Sequence, residues 1–180
     1  MPLSSKVFGL GDQFAQFKVY IANRPHFSNY PVLDYVNPMS SGEIYAISQA
    51  CGNGWRKVFN VYAKLVFALN TEHRVSLQGA QSWQHFRDQV LLQPASNTSL
   101  LFSPPVVSEL QDKNSQVVHL VMGKTYAKSL SLPDSLTWLD HEFAVDKDTK
   151  LLVCPYFDYR QLSNIKIIRL IELINQLGHV

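Results

Sequence analysis

Four short apolar runs, separated by longer stretches of helical periodicity, constrain the fold of this chain more than any other feature. The runs are residues 17–22, 99–102, 117–122 and 150–154. The last two are almost continuously apolar (VVHLVM and LLVC), which is typical of parallel strands buried on both faces. Parallel neighbours need helix-length connections, and the intervening segments are long enough to supply them. We therefore expect an α/β fold, a three-layer sandwich with a central, mostly parallel sheet of about four strands.

Helices are predicted in the segments between and after these runs. Ser40 and Glu43 form a capping box before a helix that runs to about residue 50. A Gly-Asn-Gly turn at residues 52–54 ends it, and apolar residues then recur at the spacing of one buried helix face. The members of this face are Trp55, Val58, Phe59, Tyr62, Leu65, Val66 and Leu69. Two further helices are predicted, at residues 82–91 and 163–177.

Composition and length bound the class of protein. The chain has 180 residues, and we expect residues 1–180 to form a single domain. Only 17% of the residues are charged and the formal net charge is +2, which does not by itself indicate a nucleic-acid or membrane surface. The longest helical apolar stretch, residues 58–69, is shorter than the ~18 residues of a membrane span, and the N-terminus lacks the pattern of a secretory signal. A cytoplasmic protein without a membrane partner is expected.

Ligand-binding residues are sought first at the carboxyl ends of the predicted strands, where open parallel sheets bind ligands. The loops that follow the four runs contain Asn23, Ser103, Gly123 and Pro155. They concentrate arginine, lysine and tyrosine side chains, as a binding cleft requires. The alternative is that loops are polar anyway and that the tyrosines cap the core. The ligand-binding candidates from these loops are Arg24, Lys124, Tyr126, Tyr156 and Arg160.

The Gly-Asn-Gly turn provides a second group of candidates. It leads directly into a helix whose first turn has free N–H groups and contains Trp55, Arg56 and Lys57. Basic side chains at a helix N-terminus oppose the helix dipole, so this placement is unfavourable for folding and favours a role in anion recognition. Asn53, Trp55 and Arg56 are therefore included as binding residues. The alternative is a tight helix–helix corner with Trp55 in the core.

Motifs for metals, cofactors and nucleotide hydrolysis are absent from the sequence. The six histidines show no metal-ligand spacing, so neither a metal nor a cofactor is expected. The triplet at residues 123–125 (GKT) lacks the preceding glycine-rich cradle of a phosphate-binding loop. His119 lies inside a predicted strand and is expected to be a hydrogen-bonded core histidine. The acidic cluster at residues 140–142 is expected to be solvated surface. The remaining catalytic candidates are Asn23 and Asp158.

Three segments of the sequence carry a resemblance to known families. NGWRK near residue 55, MGKTYAK at 122–128 and CPYFDYRQ at 154–161 resemble an uncharacterised bacterial family of about this length, a domain of unknown function without an assigned activity. More distantly, the loops at residues 23–25, 123–127 and 155–158 are similar in order to those of the uracil-DNA glycosylase superfamily. This second resemblance implies a shared topology and an enzyme that acts on a nucleobase or glycosidic bond. The loop after the last strand has no histidine beside Pro155, where that superfamily has one.

Two functional hypotheses follow. In the first, the protein binds an anionic ligand, a nucleotide or nucleic acid, through Arg24, Arg56, Lys124 and Arg160, which converge at the carboxyl ends of the strands. In the second, it is a glycosylase-like enzyme in which Asn23 and Asp158 face each other in a deep pocket.

Overall fold

One mixed sheet organises the computed structural model, which describes residues 5–69 and 76–178. Among the described residues it has eight strands in the order β3-β1-β4-β2-β5-β8-β7-β6, so the expected number of about four is wrong. The strands are β1 (Gly9–Gly11), β2 (Phe17–Tyr20), β3 (Val36–Asn37), β4 (Thr98–Leu101), β5 (Val118–Met122), β6 (Thr137–Trp138), β7 (Ala144–Asp146) and β8 (Leu151–Cys154).

The four strands expected from the sequence form the centre of this sheet. They lie side by side as β4-β2-β5-β8, and each neighbouring pair is parallel. The mostly parallel arrangement is therefore confirmed. β1 and β3 extend the sheet beyond β4, whereas β7 and β6 extend it beyond β8, and the contacts β1–β4, β7–β8 and β6–β7 are antiparallel. These outer strands have only two or three residues each, too few for an alternating pattern to be recognised in the sequence.

Six α-helices are present in the described residues, together with a 3₁₀ turn at Tyr30–Val32. Only half of the predicted capping box before α1 (Glu43–Cys51) forms: the Glu43 carboxylate accepts the Ser40 backbone N–H at 3.0 Å, but the N-cap is Gly42 and no side chain caps the helix. One helix, α4 (Val107–Leu110), was not expected because four residues are too few for a helical pattern. The helices are α1 (Glu43–Cys51), α2 (Asn53–Leu69), α3 (Trp83–Gln89), α4 (Val107–Leu110), α5 (Lys124–Ser129) and α6 (Asn164–Leu177).

The two faces of the sheet carry separate apolar clusters. The larger cluster contains the buried residues of α1, α2, α3 and α6, and the smaller one contains those of α4 and α5. The predicted face of α2 is confirmed, since Phe59 and Val66 have no exposed surface and Tyr62 is 1% exposed. Trp55, at the start of this face, is half-buried. The helix is also tied to the sheet, because the Tyr62 hydroxyl donates to the Ser99 carbonyl at 2.9 Å.

The acidic cluster at residues 140–142 connects the β6–β7 turn to α6. Asp140 accepts backbone N–H groups inside the turn and contacts Arg169 of α6. Glu142 pairs with Lys166 at 2.7 Å. The cluster therefore lies at the surface, with His141 exposed and the carboxylates of Asp140 and Glu142 half-buried in ion pairs that hold the turn against the helix. No helix in the described part of the chain has the length and apolar character needed to cross a membrane.

Candidate functional site

A basic cleft lies between α2 and the loop that follows β8. We call it the α2 cleft; its volume is about 220 Å³. Its helical side chains recur every three or four residues, so they share one face of α2, away from the buried face. Three of its lining side chains are cationic. The lining residues are Asn53, Arg56, Lys57, Asn60, Val61, Lys64 and Tyr159.

The other wall of the α2 cleft is positioned by Asp158. One carboxylate oxygen of Asp158 accepts the backbone N–H of Arg160 at 2.9 Å, and the other lies 3.5 Å from Lys57 Nζ. These contacts fold the loop into a turn and attach it to the second turn of α2. The Arg160 N–H group and the Lys57 ammonium lower the pKa of Asp158, against a smaller opposing effect of burial. The carboxylate is therefore held ionised as an anchor for Tyr159 and Arg160.

Cationic groups surround the Tyr159 ring. Lys57 Nζ lies 4.8 Å from the ring centroid, and the Arg160 guanidinium carbon lies 5.9 Å from it. Both distances are within the range of cation–π attraction. Arg56 is exposed, and within the described residues its side chain has no hydrogen bond or ion pair. The cleft therefore offers an unpaired guanidinium beside two further ammonium groups.

Arg24 has a structural role in this arrangement. Its Nη1 donates to the carbonyl oxygens of Tyr30, Pro31 and Leu33 at 3.0–3.2 Å. Its guanidinium carbon also lies 4.3 Å from the centroid of the Phe8 ring. These contacts hold the 3₁₀ turn against the sheet edge, and Arg24 does not line the α2 cleft.

The remaining candidates are distributed over three other places. Asn23 and Tyr156 meet across the carboxyl edge of the sheet, where burial raises the pKa of Tyr156 and the hydrogen bond from Asn23 opposes that effect. Lys124 is exposed in the first turn of α5. Tyr126 packs against the smaller apolar cluster, and burial raises its pKa. Trp55 packs against Phe59, with ring centroids 6.0 Å apart.

Lys57, Asn60, Lys64 and Tyr159 were not among the site residues expected from the sequence. A pattern for three of them exists, because positions 57, 60 and 64 follow the three- and four-residue spacing of one helix face. A polar face is also the ordinary solvated side of an amphipathic helix. Only the contacts of Lys57 with Asp158 and Tyr159, about a hundred residues away in sequence, distinguish this face as part of a cleft.

A larger cavity, of about 540 Å³, lies on the opposite face of the sheet. Its walls combine apolar side chains such as Leu110 and Leu132 with the carboxylates of Asp134 and Asp148. No site residue expected from the sequence lines it. In the described part of the chain, no group of three or more histidine, cysteine, aspartate and glutamate side chains could hold a metal ion.

The fold and the cleft together define an α/β protein with a mixed, mostly parallel sheet and a basic cleft on one of its helices. The chain belongs to the family described as "Family of unknown function (DUF6942)", whose model matches residues 8–175. The expected membership of an uncharacterised family over most of the chain is thus confirmed. No curated protein and no solved structure matches the chain, and none of the comparisons supports the resemblance to the uracil-DNA glycosylase superfamily.

Proposed function

We propose that this protein binds an anionic ligand, a nucleotide or nucleic acid, by holding phosphate groups in the α2 cleft. The observation that carries the proposal is the grouping of Arg56, Lys57 and Lys64 along one helix face, with Arg160 beside them on Tyr159. Arg56 is the strongest candidate for direct contact with phosphate. Its planar guanidinium can bind two phosphate oxygens at once, and it forms no hydrogen bond or ion pair with any described residue.

Neutral groups in the α2 cleft add to the complementarity. Asn53 and Asn60 line it with side-chain amides, which can donate hydrogen bonds to phosphate oxygens. Tyr159 is 54% exposed and presents a flat aromatic surface beside the cations. Exposed aromatic rings next to arginine and lysine are typical of sites that bind nucleotides through both base and phosphate.

The alternative of an enzyme acting on a nucleobase or glycosidic bond has less support. It requires Asn23 and Asp158 to act on one substrate. Asn23, however, is hydrogen-bonded to Tyr156, and Asp158 forms a salt bridge with Lys57. The Arg160 N–H group and Lys57 lower the pKa of Asp158, which weakens it as a general base. These contacts favour a binding role over proton transfer.

Fluorescence anisotropy tests the proposal with labelled single- and double-stranded oligonucleotides and with ADP as competitor, at low and moderate salt. We expect salt-sensitive binding that weakens about tenfold in Arg56→Ala and in Arg160→Ala, a loss of ~1.4 kcal/mol each. Lys124→Ala removes the same charge outside the cleft and is the matched control; it should bind like wild type. Absence of binding at low salt contradicts the proposal, and so does binding that neither arginine substitution affects.

A further inference from the structure

A second cleft adjoins the α2 cleft on the far side of Arg56 and Asn60. It lies between α1, α2 and α3 and has a volume of about 350 Å³. Arg56 and Asn60 line both clefts, so the two clefts adjoin each other across α2. We call the two clefts together the α2 groove. The α2 cleft alone extends ~16 Å along the helix axis, from Asn53 to Lys64 at 1.5 Å per residue.

Cations continue from the first cleft into the second. Arg87 lines the second cleft and donates to Asn60 Oδ1 at 2.7 Å. Lys64 Nζ lies 4.9 Å from the centroid of the Trp83 ring, and the Arg87 guanidinium carbon lies 5.4 Å from it. Cationic side chains therefore line both clefts of the α2 groove, and in the second cleft Arg87 is paired with Asp88 while Arg56 is not.

The carboxylates beside the groove are already neutralised. Asp88 pairs with Arg87 at 2.8 Å, and Asp158 pairs with Lys57. Within the described residues, Arg56, Lys64 and Arg160 form no salt bridge, although the charge of Arg160 contributes to lowering the pKa of Asp158. Arg56 lies where the two clefts meet, Lys64 lines the α2 cleft, and Arg160 lies beside Tyr159 at its edge, so they offer three contacts to a ligand with several phosphates in a row.

Aromatic side chains occur at both ends of the α2 groove. Tyr159 stands at one end and is 54% exposed, whereas Tyr45 lines the second cleft and is 67% exposed. Trp83, half-buried, forms part of the same end as Tyr45. Proteins that bind single strands combine a basic groove with separated aromatic platforms on which bases stack. A duplex keeps its bases paired inside, and a mononucleotide has one base for two platforms.

We infer that the ligand of this protein is a single-stranded nucleic acid that crosses α2 along the groove. Its phosphates contact Arg56, Lys64 and Arg160, and its bases stack on Tyr159 at one end and on Tyr45 and Trp83 at the other. The inference rests on the proposed function and specifies the ligand for the same site.

The test compares a labelled oligothymidylate and an oligouridylate, each of about 12 nucleotides, with a duplex of equal length and with ADP. We expect one or both single strands to bind at least tenfold more tightly than the duplex and ADP. Tyr45→Ala should weaken strand binding roughly 5- to 150-fold, the effect of losing one stacked base. Tyr45→Phe keeps the ring and should bind within twofold of wild type. ADP has one base, which we expect to stack on Tyr159, so Tyr45→Ala should bind ADP as tightly as wild type does.

The salt dependence gives an independent readout. Each phosphate contact to a single strand contributes a log–log slope of ~0.7, so Arg56→Ala should reduce the slope by about that amount, whereas Tyr45→Ala should leave it unchanged. The inference is overturned if the strands bind no more tightly than ADP, or if Tyr45→Ala binds strands like wild type. In both cases ADP binding that depends on Arg56 leaves the proposed function intact. If no phosphate-bearing ligand binds, the proposed function fails as well.

Discussion

Gly11 is required by the close approach of β1 to β4. Its φ is +120°, and an added Cβ would lie 2.5 Å from the Thr98 carbonyl oxygen and 2.7 Å from Ser99 Cα, both backbone atoms. We expect Gly11→Ala to lower the free energy of unfolding by about 2–4 kcal/mol, through backbone strain and steric overlap together. Gly54→Ala is the control, because no atom lies within 4 Å of its added Cβ and the change should stabilise α2 by ~0.4–1 kcal/mol. Urea denaturation measures both; equal effects would contradict the assigned β1–β4 contact.

His119 gives the folded state a dependence on pH. It is 1% exposed, and its Nδ1 shares a 2.7 Å hydrogen bond with the Tyr20 hydroxyl, which confirms the expected core histidine. Burial, with a smaller contribution from Lys18 and against the effect of Glu109, lowers the pKa of His119 from 6.5 to about 4. The unfolded chain therefore takes up a proton below pH 6.5 that the folded chain does not.

Stability should consequently fall as the pH drops from about 6.5 towards 4, by about 3 kcal/mol in total from His119 alone. Above pH 6.5 this contribution is fully present. His119→Gln keeps a hydrogen-bond partner for Tyr20 but does not titrate, so the difference between wild type and variant isolates the histidine from the carboxylates. Urea denaturation at several pH values measures it. A difference that stays constant between pH 7.5 and 4.5 would show that folding does not lower the pKa of His119.

At the scale of helices and strands, the elements that the sequence predicts are those in which burial produces a recognisable pattern of apolar residues. The strands β2, β4, β5 and β8 lie in the middle of the sheet, and their mostly apolar runs reflect burial on both faces. The strand β1, with the sequence GLG, has no such pattern; it is a strand because glycine permits close approach to β4. β3, β6 and β7 pair only because the chain returns to the sheet edges, which local sequence does not encode.

The residues of the candidate site were likewise predicted from the sequence only in part. Asn53 was expected from the Gly-Asn-Gly turn and Arg56 from its unfavourable placement at a helix start, and both line the α2 cleft. Arg24 was expected from its position after a strand, but its donors are used by carbonyls of the 3₁₀ turn. Sequence identifies which side chains follow a strand. It does not identify which of these side chains already donate hydrogen bonds to nearby backbone carbonyls, because that depends on loop conformation.

The buried face of α2 gives a prediction for a single element. Phe59 has no exposed surface and packs in the larger apolar cluster, whereas Phe14 is 80% exposed. Phe59→Ala should cost ~3–5 kcal/mol, from lost burial and the cavity left behind. The same change at Phe14 should alter stability by less than ~0.5 kcal/mol. Thermal and urea unfolding measure both variants. A Phe59→Ala protein as stable as wild type would show that α2 presents a different face to the sheet.

At the scale of the whole molecule, the two apolar clusters are built on opposite faces of the same four central strands. Loss of these strands would therefore remove the support of both clusters. The strand order also mixes distant parts of the chain, since β1 near the N-terminus pairs with β4, and β8 pairs with β5. No cut in the sequence separates two independent sets of strand contacts.

The expectation that residues 1–180 form a single domain therefore becomes a prediction about cooperativity. Trp55 packs on the larger cluster and Trp138 on the smaller one, so single-tryptophan proteins report on each face separately. One carries Trp83→Phe with Trp138→Phe, the other Trp55→Phe with Trp83→Phe. Within each protein, the urea midpoint from tryptophan fluorescence should equal that from far-UV circular dichroism, as in two-state unfolding. If the dichroism instead changes in two steps and each tryptophan follows a different one, the faces belong to units that unfold independently.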